Sequence, residues 1–284
     1  MVNSLLIISI VIAIAIQYTS QKIYSQKLNG KGVLCFSALA CAVAAIFFMC
    51  QIKLPLNFDV ALIPYCVLFA LGFGSTVLFS VLAIANGPLS LTTLISSYSL
   101  IIPALYGLIF LNEKVSFFLI IGFLFLFVSL YLINYTKGDN KINLKWLLYV
   151  ALTFFGNGLC SSTQKVQQIN FSGGYKGEFM AVSLIIIVLA LFIIILFKEK
   201  QDIKISVKKG IIPIVVYGLA NGFVNLLVMV LSNKMSASVM FPLVSAGSIT
   251  LTYIISRVIY KETLSKMQNI GFVLGLASIV FLNL

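Results

Sequence analysis

Histidine is absent from the 284 residues, tryptophan occurs once, and only 7 side chains are acidic. Without histidine there is no imidazole to relay protons or to hold a transition metal. The acidic residues are Asp59, Glu113, Asp139, Glu178, Glu199, Asp202 and Glu262, and all fall between apolar runs or at their ends. No carboxylate pair therefore sits inside a span. A Gly-rich phosphate loop and a metal-ligand cluster are also missing, so the usual catalytic constellations are absent. The five cysteines, Cys35, Cys41, Cys50, Cys66 and Cys160, show no paired spacing and lie in apolar segments, where they read as small fillers rather than as disulfide or zinc partners. No cofactor is expected.

Charged residues make up 9% of the chain, against about 25% in soluble domains. Hydrophobic residues make up 61% and the mean hydropathy is +1.12. Runs of about 20 apolar residues, enough to cross a bilayer core of about 30 Å, follow one another nearly end to end. Whole windows are apolar with no period-two alternation, which fits helices and not the strands of a membrane barrel. The formal net charge of +12 resides in short gaps between these runs. It reads as membrane-flanking lysine and not as a nucleic-acid surface. The N-terminal stretch has no basic leader and no small-residue cleavage site, so the first run is expected to be a retained span.

Within this apolar chain one stretch occurs twice. Residues 63–134 align without a gap on residues 212–283 at a constant offset of 149. Pro64 falls on Pro213, Ser96 on Ser245 and Ser99 on Ser248. Glu113 falls on Glu262, Ser116 on Ser265, Ile121-Gly122-Phe123 on Ile270-Gly271-Phe272, and Asn134 on Asn283. Apolar coincidences are cheap here; those at Pro, Ser, Glu, Gly and Asn imply two similar halves.

The runs predict ten helices, at 4–21, 33–49, 60–83, 91–110, 116–134, 146–165, 179–197, 210–231, 236–260 and 265–283. They group as residues 1–135 and 145–284, separated by a hydrophilic linker at 136–144. Asn86-Gly87-Pro88 is a turn. Ser265 and Gln268 have the spacing of a capping box at the start of the last helix. An odd number of spans per half forces the second half into the membrane in the opposite sense. The predicted fold is thus an all-α integral membrane protein of ten transmembrane helices, arranged as two inverted five-helix repeats, an architecture typical of secondary transporters.

The connection before the last helix of each half reads Asn112-Glu113-Lys114-Val115-Ser116 and Lys261-Glu262-Thr263-Leu264-Ser265. With the five-plus-five arrangement, this resembles the EamA-like branch of the drug/metabolite transporter superfamily, where a Gly-Glu-Arg-Leu-Ser-like motif stands at that place. Glutamate and serine match in both copies. The leading glycine is missing in both, and the basic residue survives only as Lys114. The resemblance implies eight helices around a substrate cavity, with the fifth and tenth at the periphery.

Polar residues at helical spacing mark the candidate lining. The ninth run carries Ser245, Ser248, Thr252 and Ser256 on one face, and the fourth carries Thr92, Ser96 and Ser99 before Pro103. Such hydroxyls either line a cavity or bond to their own helix and its neighbours. Asn157, Ser161 and Gln164 share a face of the sixth run, Asn221 and Asn225 lie one turn apart on the eighth, and Gln17 and Gln21 on the first. An amide facing lipid leaves donors and acceptors unpaired at a cost of several kcal/mol, so these amides must face protein or water. The substrate-binding candidates are Gln17, Gln21, Ser96, Ser99, Asn157, Gln164, Asn221, Asn225, Ser245, Ser248 and Thr252. Lys22, Lys165 and Arg257, at helix ends, are expected to snorkel to the interface, or else to attract an anionic group. Gly218/Gly222 and Gly271/Gly275 are GxxxG pairs; the first is expected to pack inside the fold, the second to offer a homodimer contact through the tenth helix.

The expected function is a multi-pass permease of the cell membrane, moving a small polar or amino-acid-like metabolite or drug by alternating access, and not an enzyme. The alternatives are a non-transporting receptor or assembly subunit, or an integral membrane enzyme acting on a lipid-linked substrate. Its expected partners are a small-molecule substrate and the bilayer, with no nucleic acid. Lacking an acidic group in any span, the chain is expected to work by facilitated diffusion or exchange rather than through a buried proton-binding carboxylate. Of the 19 basic residues, fourteen lie in loops on the side where the first helix ends and five on the other. The positive-inside rule puts the richer side in the cytoplasm; the family resemblance puts both termini there instead.

Overall fold

The computed structural model describes residues 2–52, 58–100, 102–103, 117–134, 143–232 and 237–281. Glu113, Ser116, Lys234, Asn283, most of the linker and the far part of the fourth run lie outside these residues. Among the described residues there are ten α-helices and no strand. The first five are α1 (Val2–Leu28), α2 (Val33–Met49), α3 (Ile63–Asn86), α4 (Leu89–Ser97) and α5 (Phe117–Asn134). The others are α6 (Leu144–Asn170), α7 (Lys176–Lys198), α8 (Ile203–Ser232), α9 (Ala237–Val258) and α10 (Lys266–Phe281). Short 3-10 turns precede α3 and α8 and follow α4.

The helix ends follow local chemistry. Gly30 and Gly32 adopt φ of 73° and 68° in the turn before α2, a region in which a side chain would be strained. Asn143 caps α6 by accepting from Lys145 N at 2.9 Å. Ser265 and Gln268 form the expected reciprocal box, with Ser265 N donating to Gln268 Oε1 at 3.0 Å and Gln268 N to Ser265 Oγ at 3.2 Å. Among the described residues, three boundaries move furthest from the sequence reading. α1 continues past Gln21 to Leu28, α6 continues past Lys165 to Asn170, and α8 starts at Ile203 and not Gly210. Lysine and glutamine are good helix formers, so the change to polar residues marks where the apolar environment ends and not where the helix does. The α1 and α8 extensions pack together: the Tyr24 hydroxyl donates to the Gly32 carbonyl at 2.5 Å and meets Ser206 Oγ at 2.9 Å.

Four stretches, Asn3–Leu28, Val60–Asn86, Lys176–Lys198 and Lys200–Leu231, are long and apolar enough to cross a membrane; α2 and residues Ile120–Ser129 of α5 are shorter apolar segments. The protein is an integral membrane protein. α6 misses that threshold because it carries Asn157, Ser161, Gln164, Gln167 and Gln168, and it satisfies them by turning inward.

Helix pairing has a simple pattern. α3 packs along α6 and α1 along α8; α2 packs on α7, α4 on α9 and α5 on α10. Among the lesser contacts, α2 with α8 matches α3 with α7, and α1 with α9 matches α4 with α6. Every one of these contacts maps onto itself or another when each helix number is moved by five. Glycines permit the closest approaches. A Cβ on Gly72 would lie 2.8 Å from Gly156 O, and one on Gly156 would lie 2.8 Å from Gly72 O, so α3 and α6 cross with their backbones touching. Gly218 and Gly222 seat α8 against Val43 and Phe47 of α2, as the first GxxxG pair predicts. The second pair also faces inward: a Cβ on Gly275 would meet the Tyr98 hydroxyl and Ser129 Oγ, and Gly271 O accepts from Ser129 Oγ at 2.6 Å. This corrects the expectation that those glycines are free for a dimer contact.

Candidate functional site

A cavity of about 150 Å³ lies among six helices, α1, α3, α4, α6, α8 and α9. The Gly72–Gly156 crossing fixes two of its walls. One turn beyond the crossing, α3 presents Thr76 and Ser80 to it, and α6 presents Asn157, Cys160, Ser161 and Gln164. α1 contributes Gln17, Tyr18 and Gln21. From the second half, α8 adds Tyr217, Asn221 and Asn225, and α9 adds Ser245 and Ser248. Phe73, Tyr18 and Tyr217 supply aromatic walls. None of the described lining residues is charged.

Eight of the eleven predicted residues are thus brought together: Gln17, Gln21, Asn157, Gln164, Asn221, Asn225, Ser245 and Ser248. Ser96, Ser99 and Thr252 are buried but stand off the lining. On α4 the residue that reaches the cavity is Ser97. Ser99 acts one step back, accepting from Asn157 Nδ2 at 2.7 Å. It lies in the 3-10 turn Tyr98–Leu100, whose tighter winding takes it out of α-helical phase with Ser96. The fourth run's Thr92 serves the fold, accepting from the indole N–H of Trp146 at 2.9 Å.

The lining is incompletely satisfied. Gln21 Nε2 donates to Ser80 Oγ at 2.6 Å, but Gln21 Oε1 has no partner. Nε2 of Gln17 and of Gln164 also lack partners. Gln21 is 1% exposed and Gln164 6%, so neither is relieved by bulk water. A buried polar atom left unpaired costs about 1–3 kcal/mol, and native proteins keep few of them. Other amides are already held: Asn225 Nδ2 donates to Asn221 O at 3.0 Å and to Asn221 Oδ1 at 3.2 Å, and Ser248 Oγ to Ser245 O at 3.1 Å. The cavity therefore offers two vacant donors and one vacant acceptor, from α1 and α6.

Several lining residues were not on the sequence list. Phe73, Thr76 and Ser80 stand at i, i+3 and i+7, a one-face stripe readable in the sequence but diluted by Ser75 and Gly74. Tyr18 and Tyr217 were not singled out as candidates. Cys160, taken for a filler, lines the cavity. Lys22 also departs from expectation. It does not extend free to the interface; its Nζ lies 3.3 Å from Glu262 Oε1, with side chains 17% and 13% exposed.

Residues 144–284 match the EamA-like transporter family. An uncharacterized protein of Haemophilus influenzae (strain ATCC 51907 / DSM 11121 / KW20 / Rd) is 28% identical over 186 residues, which cover 64% of this chain and 62% of the relative. A solved crystal structure superposes with a TM-score of 0.66 over 96% of this chain and 94% of the other, at 11% identity. At that identity the likeness extends to the fold alone.

Proposed function

We propose, from the match of residues 144–284 to the EamA-like transporter family, that the central cavity binds a small polar or amino-acid-like metabolite or drug and carries it across the cell membrane by alternating access. The observation that carries this reading is the set of unpartnered, buried amide atoms of Gln17, Gln21 and Gln164 in a cavity built by both halves. A substrate with complementary donors and acceptors relieves them, and Tyr18, Phe73 and Tyr217 flank its apolar part. The principal helix pairings, unchanged when each helix number moves by five, support reading the halves as inverted repeats. Such a pair of half-sites opens to either face by the same motion. With no charged group among the described lining residues, the substrate's own gradient, or exchange against a second substrate, sets the direction of flux. Any homodimer through α10 would use its outward residues, such as Ile270 and Val273.

The test is uptake and efflux of a labelled panel of amino acids, nucleosides, sugars and small heterocycles by purified protein in proteoliposomes, with and without a pH gradient. Saturable flux of one class, lost on Gln164→Leu, is the expected result. No saturable flux for any class would sink the reading. Uphill accumulation of a non-ionisable compound driven by the pH gradient alone would overturn the proposed energetics.

A further inference from the structure

A second cavity, of about 430 Å³, lies farther along α1 and α3. Its walls include Lys22, Ser25 and Gln26 of α1, Asn29 just past its end, and Leu82, Ala85 and Asn86 of α3. Both helices run from the central cavity toward these residues, so the second cavity sits between the first and the face where α1 and α3 end. That face carries the lysine-rich loops, including Lys27, Lys31 and Lys200–Lys209. Two contacts lie where the cavities approach each other, one in the wall of each. The inner one is the hydrogen bond from Gln21 Nε2 to Ser80 Oγ, which joins α1 to α3 at 2.6 Å. The outer one is built on Lys22, the next residue of α1, and Glu262.

Glu262 is the hub of that outer contact. Its own half holds it in place. Ser256 Oγ donates to Glu262 Oε2 at 2.9 Å, Glu262 N donates to Ser256 O at 3.1 Å, and Arg257 Nη1 donates to Glu262 O at 2.9 Å. The carboxylate then reaches the first half. It accepts from Leu89 N at 2.9 Å, from Ser90 N at 3.4 Å and from Ser90 Oγ at 3.3 Å, capping the N-terminus of α4. It also pairs with the Lys22 ammonium at 3.3 Å, which lies 5.9 Å from the centre of the Tyr260 ring. A carboxylate at a helix N-terminus is favoured by the exposed N–H groups and the helix dipole, and the lysine adds a charge-assisted contact.

We propose that Lys22 and Glu262 are the closed gate of the lysine-rich face, and that Gln21–Ser80 is its inner layer. The proposal rests on the alternating-access reading, in which one face is shut while the other is open. Opening this face requires α1 and α4 to part from the α9–α10 connection, and among the described residues that means breaking the Lys22–Glu262 ion pair. The cap on α4 travels with the carboxylate or is replaced by water. Lys22 and Glu262 are therefore gating residues, distinct from those that line the central cavity.

Cys160 reports on the gate because it lines the central cavity. The measurement is alkylation of Cys160 by a membrane-impermeant maleimide, in the full chain with the other four cysteines replaced by alanine. Sealed vesicles of both orientations are used, and a Gln201→Cys control identifies the preparation that presents the lysine-rich face. Lys22→Met removes the ion pair and leaves the cap on α4. Lys22→Glu sets two carboxylates against each other, and Lys22→Glu with Glu262→Gln relieves that repulsion. From the lysine-rich face the labelling rate is expected to rise on the order of fivefold in Lys22→Met, further in Lys22→Glu, and to fall back in the double variant. Equal rates in all four proteins, with unchanged size-exclusion profiles, would overturn the gate. A rise in Lys22→Glu that the double variant leaves in place would mean local damage rather than gating, and would also overturn it. No transported compound is needed, so a failed flux panel leaves this result interpretable.

Discussion

Two polar clusters sit in this apolar protein, and they differ in how far they are satisfied. At the lysine-rich face the Glu262 carboxylate accepts from two backbone N–H groups and two hydroxyls and faces an ammonium. In the central cavity Gln17, Gln21 and Gln164 each keep an amide atom without a partner. Most polar groups that serve the fold are saturated by it, because the low-dielectric interior penalises any that are not, although Ser162, Gln168 and Ser278 also keep an unpartnered atom away from the cavity. Polar groups that serve a ligand stay vacant until the ligand arrives. Between these two clusters the contrast does not follow burial, since Glu262 is more exposed than Gln21; an unpartnered atom points to a ligand only where, as at Gln17, Gln21 and Gln164, it also lines a cavity.

The largest expected effect comes from breaking the saturated cluster. Glu262→Ala leaves Lys22 without its partner and the first N–H groups of α4 uncapped. Removing one member of a largely buried pair costs about 3 kcal/mol. Thermal unfolding in detergent should show a clear fall in Tm, and an unchanged Tm would mean the cluster is ornamental. The same kind of change in the cavity should behave oppositely. Gln164→Leu exchanges a buried amide with an unpartnered nitrogen for an apolar group, which is near neutral or stabilising, within about 1 kcal/mol. Flux of any compound that the unmodified protein moves should nevertheless fall about tenfold, the equivalent of one lost hydrogen bond of ~1.4 kcal/mol. A drop in both Tm and flux would place Gln164 with the structural polar groups. A smaller effect is expected at Ser265→Ala, which removes half of the capping box on α10. It should cost about 1 kcal/mol, read as faster amide exchange in the first turn of α10, with flux unaffected.

The same contrast explains what the sequence could and could not convey. Helix number and type were legible because apolar windows and punctuation such as Asn86-Gly87-Pro88 are local signals. The Ser265–Gln268 box was legible for the same reason. Eight cavity residues were legible because an amide such as Asn157 or Gln164 has few tolerable places in an apolar helix. Which hydroxyls face inward was not. Ser96 and Ser97 are adjacent, and the choice between them depends on the rotation of α4, which is set by Trp146 on Thr92 and by the Glu262 cap. Lys22–Glu262 joins residues from different halves of the chain; nothing local pairs them, so each read as a helix-end charge. Tyr18 and Tyr217 were not legible as lining, because the apolar body of an aromatic gives the same pattern whether it faces leucine or a ligand.

A second glutamate at the same face offers the finest test of the comparison. Glu199 closes α7 and turns its Oε2 to the start of α2, accepting from Cys35 N at 3.1 Å. Like Glu262 it caps a helix N-terminus, but among the described contacts it has no lysine. Desolvation by burial outweighs the bonds from the backbone of α2, and the Glu199 carboxyl is held above its ordinary value, with Asp202 adding a smaller push in the same direction. A carboxyl raised on folding binds its proton more tightly in the folded protein than in the unfolded chain. The stability it contributes is complete below the unfolded value near 4.5 and is lost as pH rises through the folded value. The unmodified protein should therefore lose some Tm between pH 4.5 and neutrality on account of this group. Glu199→Gln keeps an acceptor for Cys35 N and removes the titration, so its Tm should match the unmodified protein at the acid end and exceed it slightly at pH 7. The comparison is made as the difference between the two Tm curves, which cancels every other titrating group. A difference curve that is flat, or that slopes the other way, would show that Glu199 is as well satisfied as Glu262 and that a cation is not what separates the two caps.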